Sequence, residues 1–217
     1  MLTEILPKVV AVEERRSDPD DPFLFPEEAA LLARAVPKRR TEFATARLCA
    51  RTALATLGHP PAPILPGPKG APQWPSGVVG AITHCAGYRA AAVARATELA
   101  AVGIDAEPHG PLPEGVLRVI GLPVEVDQLV RLGVETPGTH WDRLLFSAKE
   151  SVYKAWFPLT GQWLGFEDAE ITFSPAGTFT VGLRPTGALP AGTVFAGRWL
   201  VRAGLALTAV TVPPFPA

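Results

Sequence analysis

The stretch Trp141–Trp156, WDRLLFSAKESVYKAW, has the most regular helical pattern in the chain. Its apolar residues recur at helical spacing, so one side of the predicted helix faces a core: Trp141, Leu145, Ala148, Val152 and Ala155. The opposite side is polar: Arg143, Ser147, Glu150 and Lys154. Short apolar stretches separated by Gly and Pro follow, which is typical of antiparallel strands. This half of the chain therefore predicts a helix packed on a sheet.

The first half has the same ingredients. EEAALLARA, residues 27–35, predicts a short helix with Glu27 and Glu28 suited to its positive N-terminal end. A second long helix is predicted in RRTEFATARLCARTALATLG, residues 39–58, and its buried stripe comprises Phe43, Ala46, Ala50, Leu54 and Leu57. Paired strands are predicted at 78–84 and 88–96, and a further buried strand at 99–107. We therefore predict an α+β fold of two subdomains packed side by side, residues 1–100 and 101–217.

Composition and charge exclude several classes of protein. The chain has 217 residues, of which 47% are hydrophobic and 19% charged, so it is not intrinsically disordered. Its net charge of -1 provides no overall field that would attract nucleic acid or a membrane surface. Two cysteines are too few for a disulfide framework or a four-ligand zinc site. Because no apolar run approaches the roughly 20 residues of a membrane span, we expect a cytoplasmic protein.

The stretch VGIDAEPH, residues 102–109, ends a predicted buried strand with two carboxylates. Asp105 and Glu107 point to the same face, with β-carbons about 6–7 Å apart. Like charges at that distance repel unless a cation lies between them, and Mg²⁺ commonly binds one or two carboxylates together with substrate phosphates. The alternative is a solvated strand end capped by Pro108.

Glu150 and Lys154 lie four residues apart on the polar side of the long helix. Their order favours an ion pair, which at an exposed site would contribute only about 0.3–0.5 kcal/mol. Taken singly, the pair is therefore as consistent with a solvated helix face as with a functional site.

Together, GIDAE and FSAKESVYKA resemble the two signature motifs of the Sfp-type 4'-phosphopantetheinyl transferases. The family pattern is G-[IV]-D-x-E followed by [FW]-[SC]-x-K-E-[SA]-x-x-K. It is filled by Gly103, Ile104, Asp105 and Glu107, then by Phe146, Ser147, Lys149, Glu150, Ser151 and Lys154. KRRTEFATARLCARTAL, PKGAPQWPSGVVGAITHCAGYRAA and WFPLTGQWLGFEDAEITF are similar to the actinobacterial and enterobactin-synthetase-component-D-like branch. The resemblance covers roughly residues 20–175.

The resemblance implies a fold of two similar α+β subdomains related by pseudo-twofold symmetry, with the active-site cleft between them. It also implies a holo-[acyl-carrier-protein] synthase. Such an enzyme transfers the 4'-phosphopantetheine arm of coenzyme A to a serine of an apo acyl or peptidyl carrier protein or carrier domain and releases adenosine 3',5'-bisphosphate. The carriers serve fatty-acid, polyketide or nonribosomal-peptide synthesis. Members of this branch are usually monomeric.

The resemblance assigns roles to the signature residues. Asp105 and Glu107 would hold Mg²⁺ on the pyrophosphate of coenzyme A, with the carbonyl of Ala106 nearby. Glu150 would be a third metal contact or the base that accepts the serine proton. Lys154 would neutralise charge on the pyrophosphate as it moves to the leaving group. The two carboxylates at the strand end would then stand together because a metal ion bridges them to the substrate.

The nucleotide end of coenzyme A is anionic and needs cations. By resemblance, Arg39 and Arg47 bind its 3'-phosphate, while Arg40 and Arg51 lie close by and add positive field. Thr83 and His84, at a strand end, are also expected to bind coenzyme A, with His84 on a phosphate. Three other histidines are assigned to structural or surface roles: His59, His109 and His140.

Lys69 lies in a loop that covers the nucleotide in relatives. This loop departs from the family pattern, because close relatives carry another lysine where this chain has Pro66, and other branches carry one where it has Ala71. The carrier protein is expected on the segment Leu112–Leu132 between the two signature motifs.

Two further functions fit some of these features. One is a non-catalytic module that binds coenzyme A or a nucleotide, although such a module would be expected to lose one of the four signature charges. The other is a Mg²⁺-dependent phosphodiesterase acting on another pyrophosphate, although the basic segment favours a 3'-phosphorylated nucleotide. The chain has no Walker A or G-x-G-x-x-G motif and no compelling nucleophile–histidine arrangement. A transferase whose nucleophile belongs to its protein substrate needs neither.

Overall fold

The computed structural model describes residues 1–184 and 189–215. The first half of the chain forms a three-stranded antiparallel sheet in the order β1-β3-β2. Its strands are β1 (Ala11–Arg15), β2 (Val78–Cys85) and β3 (Tyr88–Arg95). Its helices are α1 (Pro26–Leu31) and α2 (Pro37–Thr56).

The second half forms a five-stranded antiparallel sheet in the order β4-β8-β7-β6-β5. Its strands are β4 (Ala101–Pro108), β5 (Ala169–Ser174), β6 (Thr178–Leu183), β7 (Ala196–Arg202) and β8 (Leu205–Val212). Its helices are α3 (Val116–Ile120), α4 (Pro123–Glu135) and α5 (Trp141–Thr160). Single-turn 3-10 helices cover Leu2–Glu4, Pro68–Gly70 and Phe166–Asp168.

The two halves share a topology. In each, the first strand pairs antiparallel with the last, β1 with β3 and β4 with β8, and the long helix lies between them in sequence. The predicted α+β fold is confirmed, and this shared order agrees with the implied pseudo-twofold relation, although the halves differ in strand number. The break between the sheets falls between residues 95 and 101, and residue 100 as a domain boundary stays a prediction.

Strand β3 is buried on both faces because two layers cover it. Ala91 and Val93 pack against α2, while the alternate residues Ala90, Ala92 and Ala94 pack toward β4 and β8 of the other half. All five side chains are fully buried. Their run of small apolar residues lets a helix lie on one face of this sheet while the second sheet approaches the other.

Gly103 brings α5 directly onto β4. A β-carbon at this position would lie 2.0 Å from the carbonyl oxygen of Ser151 and 2.9 Å from the backbone nitrogen of Ala155. The helix backbone therefore rests on the strand backbone without a side chain between them. Because alternate strand residues share a face, Asp105 and Glu107 lie on the same side of β4 as this contact.

Helix α5 confirms the predicted core face, whose five residues are almost wholly buried: Trp141, Leu145, Ala148, Val152 and Ala155. The helix runs four residues beyond the predicted end, with Pro158 inside its last turns. Its polar side is not a solvent face throughout. Ser147 is fully buried, and its carbonyl oxygen accepts a hydrogen bond of 2.8 Å from the Thr208 hydroxyl on β8.

The first half departs more from the sequence pattern. Helix α2 begins two residues before the predicted start, and α1 ends at Leu31 rather than extending to Ala35. Phe43 and Leu57 are only partly buried, unlike the rest of the predicted stripe. Strand β1 was not predicted, because AVEER has no apolar alternation.

In the second half, helices α3 and α4 were not predicted, because the segment 112–132 was interpreted only as a surface.

Candidate functional site

A cavity of about 680 Å³ opens between α2, β2 and α5, so both halves of the chain contribute to its walls. Six of the residues singled out in the sequence line it: Arg39, Arg47, Lys69, His84, Glu150 and Lys154. Pro66 and Ala71, at which the loop departs from the family pattern, also line it. The cavity has the size of a small-molecule site and combines apolar walls with a few charged groups.

Arg47 forms part of the cationic wall. Its guanidinium lies 4.1 Å from the centre of the Phe43 ring, and its Nε donates a 2.7 Å hydrogen bond to the carbonyl oxygen of Ile64. Burial, together with the charges of Arg51 and Arg39, lowers the pKa of Arg47 to about 10. The side chain stays charged at neutral pH, and the charge of an anion in the cavity would raise its pKa again.

Arg39 and His84 meet across this wall. Arg39 can only donate hydrogen bonds, so the 3.0 Å contact between its Nη1 and His84 Nε2 requires an unprotonated Nε2. Burial and the charge of Arg39 lower the pKa of His84, which agrees with a neutral imidazole. The first half thus presents a concentrated positive surface to any ligand in the cavity.

Thr83, Asp105 and Glu107 lie outside the cavity lining, unlike Glu150 and Lys154. Asp105 is buried behind Lys154, where the two halves touch. Its Oδ1 is 2.7 Å from Lys154 Nζ and accepts a 3.2 Å hydrogen bond from the Thr83 hydroxyl. Thr83 in turn accepts a 3.2 Å hydrogen bond from the backbone N–H of Ala106. Thr83 therefore joins β2 to β4 through Asp105. The other carboxylate oxygen of Asp105, Oδ2, is buried and has no hydrogen-bond partner in the described structure.

Glu107 and Glu150 complete the acidic side. Glu107 Oε2 accepts a 3.0 Å hydrogen bond from Arg143 Nη1 on α5. Burial and the charge of Asp105 raise the pKa of Glu107. The pKa of Glu150 is also raised, chiefly by burial, with Lys154 opposing and Asp105 reinforcing the shift. These carboxylates destabilise one another, and a bound cation would offset that repulsion.

These residues fit a Mg²⁺ ion whose coordination would be completed by the phosphates of the substrate. Over residues 1–184 and 189–215, no three His, Cys, Asp or Glu side chains form a ready-made metal cluster. Mg²⁺ does not need one, since it commonly takes one or two carboxylates and substrate phosphates. The unpartnered oxygen of Asp105 and the adjacent carboxylate of Glu107 supply such donors.

Lys154 does not form the ion pair with Glu150 that its sequence spacing suggested. It pairs with Asp105 of the strand rather than with Glu150 on its own helix. The interpretation of Lys154 as half of a surface ion pair is therefore wrong. The close approach of α5 to β4 brings the carboxylate of Asp105 within reach of its ammonium group.

Two of the predicted cations are turned away from the cavity. Arg40 is exposed, lies outside the cavity lining and donates a 3.4 Å hydrogen bond to the carbonyl oxygen of Leu32. Arg51 is buried against Glu28, with 2.9 Å between Nη1 and Oε2. Its positive field is thus largely compensated by a neighbouring carboxylate. Lys69 does line the cavity, and its Nζ lies 5.8 Å from the centre of the Trp163 ring in the other half.

Tyr153 and Lys149 were not predicted as site residues. Tyr153 lines the main cavity and a neighbouring one of about 200 Å³, and its buried hydroxyl has no partner among the described residues. Its spacing of three residues from Glu150 could have revealed it. Lys149 is buried and lies 2.9 Å from the Glu125 carboxylate. Sequence offers no local signal for that pairing, since the partner lies on another helix.

Comparisons with known proteins agree with the two-part architecture. Residues 27–94 match the family model of the 4'-phosphopantetheinyl transferase N-terminal domain, and residues 101–207 match that of the 4'-phosphopantetheinyl transferase superfamily. Within the described ranges, no helix has the length and apolar composition needed to cross a membrane.

Several characterised proteins are similar over most of the chain. The 4'-phosphopantetheinyl transferase Svp of Streptomyces mobaraensis is 56% identical, covering 98% of this chain and 89% of its own. The 4'-phosphopantetheinyl transferase PptT of Mycobacterium tuberculosis is 51% identical, covering 98% of both. Enterobactin synthase component D of Salmonella typhi is 31% identical, covering 82% of this chain and 75% of its own.

Proposed function

Because the chain belongs to the 4'-phosphopantetheinyl transferase superfamily, we propose that the cavity between its halves holds coenzyme A. Its phosphates would lie between the cationic wall of the first half and the side of the cavity formed by Glu150 and Lys154. The protein is an enzyme that transfers the 4'-phosphopantetheine arm of coenzyme A to a carrier protein. One observation carries the assignment of the cavity: Arg39, Arg47 and His84 line the same space as Glu150 and Lys154.

The 3'-phosphate and the pyrophosphate of coenzyme A would lie at different walls. Arg39, Arg47 and His84 form the positive surface suited to the 3'-phosphate, with Lys69 reaching over it from the 66–72 loop. The pyrophosphate would lie near Lys154, whose charge is already held close to the acidic wall by Asp105. Arg40 contributes no contact in this arrangement.

Asp105 and Glu107 are the residues that would hold Mg²⁺, with the carbonyl of Ala106 as a further contact and Glu150 either as a third metal contact or as the base. Bound there, the ion would supply positive charge to the pyrophosphate oxygens. The unpartnered buried oxygen of Asp105 supports this assignment, because a buried carboxylate oxygen without a partner is unfavourable.

Glu150 and Lys154 have separate roles in this reaction, one toward the serine proton and the other toward the negative charge of the leaving group. The serine oxygen forms a bond to the phosphorus of the phosphopantetheine arm, and the bond from that phosphorus to the bridging oxygen breaks. Adenosine 3',5'-bisphosphate leaves with the electron pair. As the base, Glu150 would accept the serine proton, while Lys154 would stabilise the charge on the leaving phosphate.

We also propose that the carrier docks on Leu112–Leu132, which carries α3 and most of α4. This segment exposes several apolar side chains, as expected for a surface that receives an apolar helix face: Val119, Val124 and Val130. The protein would work as a cytoplasmic monomer, without nucleic acid or membrane partners, and its carriers would serve fatty-acid, polyketide or nonribosomal-peptide synthesis. Its two free cysteines are consistent with a reducing compartment.

Mass spectrometry of an apo carrier protein tests this function. Incubation with the enzyme, coenzyme A and Mg²⁺ should increase the carrier mass by one phosphopantetheine arm, and chelation of the metal should prevent the increase. A coenzyme A-binding module would leave the carrier unchanged. A phosphodiesterase would cleave coenzyme A without any carrier present, and either result would contradict the assignment.

The cationic wall predicts a preference for coenzyme A over dephospho-coenzyme A. Without the 3'-phosphate, binding should weaken at least about tenfold, since a hydrogen bond to a charged group is typically worth about 1.5–3 kcal/mol. Calorimetry with both ligands measures the difference. Arg39→Ala should remove most of it, whereas Arg40→Ala, the adjacent residue outside the cavity, should preserve it. Equal affinity of the unmodified protein for both ligands would overturn the assignment of this wall.

A further inference from the structure

Glu28 is a buried carboxylate that the mechanism does not use. It is the third residue of α1 and is fully buried. Its Oε2 accepts a 3.0 Å hydrogen bond from the backbone N–H of Phe25, and its Oε1 accepts one of 2.9 Å from that of Ile64. Arg51 Nη1 on α2 donates to both oxygens at 3.0 and 2.9 Å. One side chain thus ties together α1, α2 and the segment that follows α2.

Ile64 is held at both of its peptide groups. Its N–H donates to Glu28, and its carbonyl oxygen accepts the 2.7 Å hydrogen bond from Arg47 Nε. Its side chain is buried beside α2. The chain then enters the loop of residues 66–72, which lines the cavity and carries Lys69. The position of Ile64 therefore links the start of that loop to the guanidinium of Arg47.

Glu28 also anchors the other side of the cavity mouth. Its bond to Phe25 N–H fixes the first turn of α1, and Arg51 Nη2 donates a 2.6 Å hydrogen bond to the carbonyl oxygen of Phe23 in the preceding loop. The end of this short helix and the residues after it line the cavity: Leu31, Leu32 and Ala35.

The second half contains an equivalent device. Glu125 is the third residue of α4, follows Pro123 as Glu28 follows Pro26, and is almost fully buried. It accepts hydrogen bonds from the N–H groups of Leu122 and Ile171, each 2.7 Å long, and pairs with Lys149 of the long helix. The two carboxylates differ in what they hold, since Glu125 lies by α5 and β5, away from the cationic wall.

We propose that Glu28 is a positioning residue that sets the recognition of the 3'-phosphate of coenzyme A. It acts through Arg51 and Ile64 on Arg47 and on the Lys69 loop and touches no substrate itself. The inference rests on the proposed placement of the nucleotide at the cationic wall. It adds that the geometry of this wall is fixed by a buried carboxylate rather than by the cations alone.

Glu28→Gln is the variant that tests the role. An amide has one accepting oxygen, so it can satisfy either Ile64 N–H or Phe25 N–H in this geometry, but not both. Its NH₂ group would also face the Arg51 donors. In either orientation, one of the two structural links to the cavity is lost while the side-chain volume is retained.

Steady-state transfer with coenzyme A and with dephospho-coenzyme A gives the readout. We expect the KM for coenzyme A to rise about tenfold in Glu28→Gln, in line with loss of one hydrogen bond to a charged group. We expect little change in the KM for dephospho-coenzyme A, in the KM for the carrier or in kcat. Glu125→Gln is the matched control, because it makes the same chemical change in the other half and should keep the wild-type ratio of the two KM values.

The outcomes separate this inference from the proposed function. If the wild-type enzyme does not distinguish the two substrates, the nucleotide placement fails and this inference fails with it. If the wild type distinguishes them and Glu28→Gln keeps the same ratio, the placement stands and the positioning role is refuted. Equal loss of the ratio in Glu28→Gln and Glu125→Gln would indicate a general effect of destabilisation and would also refute it.

Hydrogen exchange and a second variant distinguish the proposed local effect from misfolding. In Glu28→Gln, amide exchange in residues 62–73 should become faster than in the wild type, whereas in Glu125→Gln it should not. If Glu28→Gln does not fold, Arg51→Lys serves instead, because lysine keeps the charge but cannot contact both Glu28 and the Phe23 carbonyl. An Arg51→Lys enzyme that folds and discriminates normally would contradict the proposal.

Discussion

Replacing Asp105 by asparagine should reduce single-turnover transfer to the carrier by about 10²–10³-fold, the usual effect of removing one key electrostatic group. The amide keeps the shape of the carboxylate and can still accept the Thr83 hydrogen bond, so β2 and β4 should stay joined. It loses the charge that pairs with Lys154 and the anionic oxygen proposed to bind Mg²⁺. Asp105→Ala should be at least as slow.

Glu170→Ala is the control for this variant. Glu170 is an exposed carboxylate on β5 of the same sheet, and its removal should change neither transfer nor the dependence on Mg²⁺. Quench-flow measurements at limiting and saturating Mg²⁺ compare the three variants with the wild type, and thermal melting reports their folding. Near-wild-type transfer by Asp105→Asn at limiting Mg²⁺ would show that this carboxylate does not hold the metal.

Glu150→Gln should bind coenzyme A but transfer its arm orders of magnitude more slowly. Glutamine preserves the size of the side chain and a hydrogen bond, but it cannot accept the serine proton. Lys154→Ala should impair binding as well as rate, because its charge meets the pyrophosphate in both the ground state and the transition state. Neither side chain belongs to the core face of α5, so neither change opens a cavity in the core.

Calorimetry with coenzyme A, single-turnover transfer and thermal melting together separate these roles. Arg143→Ala on the same helix is a useful comparison, since it frees Glu107 from its ion pair without removing a proposed catalytic group. A Glu150→Gln enzyme that melts slightly lower but transfers at the normal rate would show that the residue is structural. Normal affinity of Lys154→Ala for coenzyme A would show that Lys154 does not contact the pyrophosphate.

Helix α5 and strand β4 of the second half were predicted from the sequence, whereas α3 and α4 were not. The core face of α5 follows from spacing alone, and the shared face of Asp105 and Glu107 follows from the alternation of a strand. The contacts of the Asp105 carboxylate could not be predicted in this way. Its partners Lys154 and Thr83 lie on other elements, and contacts between distant segments leave no periodic signal.

Arg51 and Glu28 show where helical spacing is insufficient. By resemblance, Arg47 was expected to bind the 3'-phosphate and Arg51, four residues further along the helix, to add positive field. The structure separates them, because Glu28 is buried against Arg51 alone. The sequence placed Glu28 correctly in the first turn of a helix, but its burial depends on how α1 packs against α2, which neither helix encodes locally.

The close contact at Gly103 has a consequence for how such enzymes can diverge. Since β4 and α5 touch backbone to backbone, the acidic residues on the strand keep their places relative to Glu150 and Lys154 without help from the intervening chain. Residues 109–140, which carry α3 and α4, leave from and return to the same end of this pair, where the backbone N–H of His140 donates a 3.0 Å hydrogen bond to His109 Nε2. If the carrier docks on Leu112–Leu132 as proposed, insertions, deletions or grafts in that segment should alter partner choice while β4 and α5 keep their places, which makes it the natural place to re-engineer the enzyme.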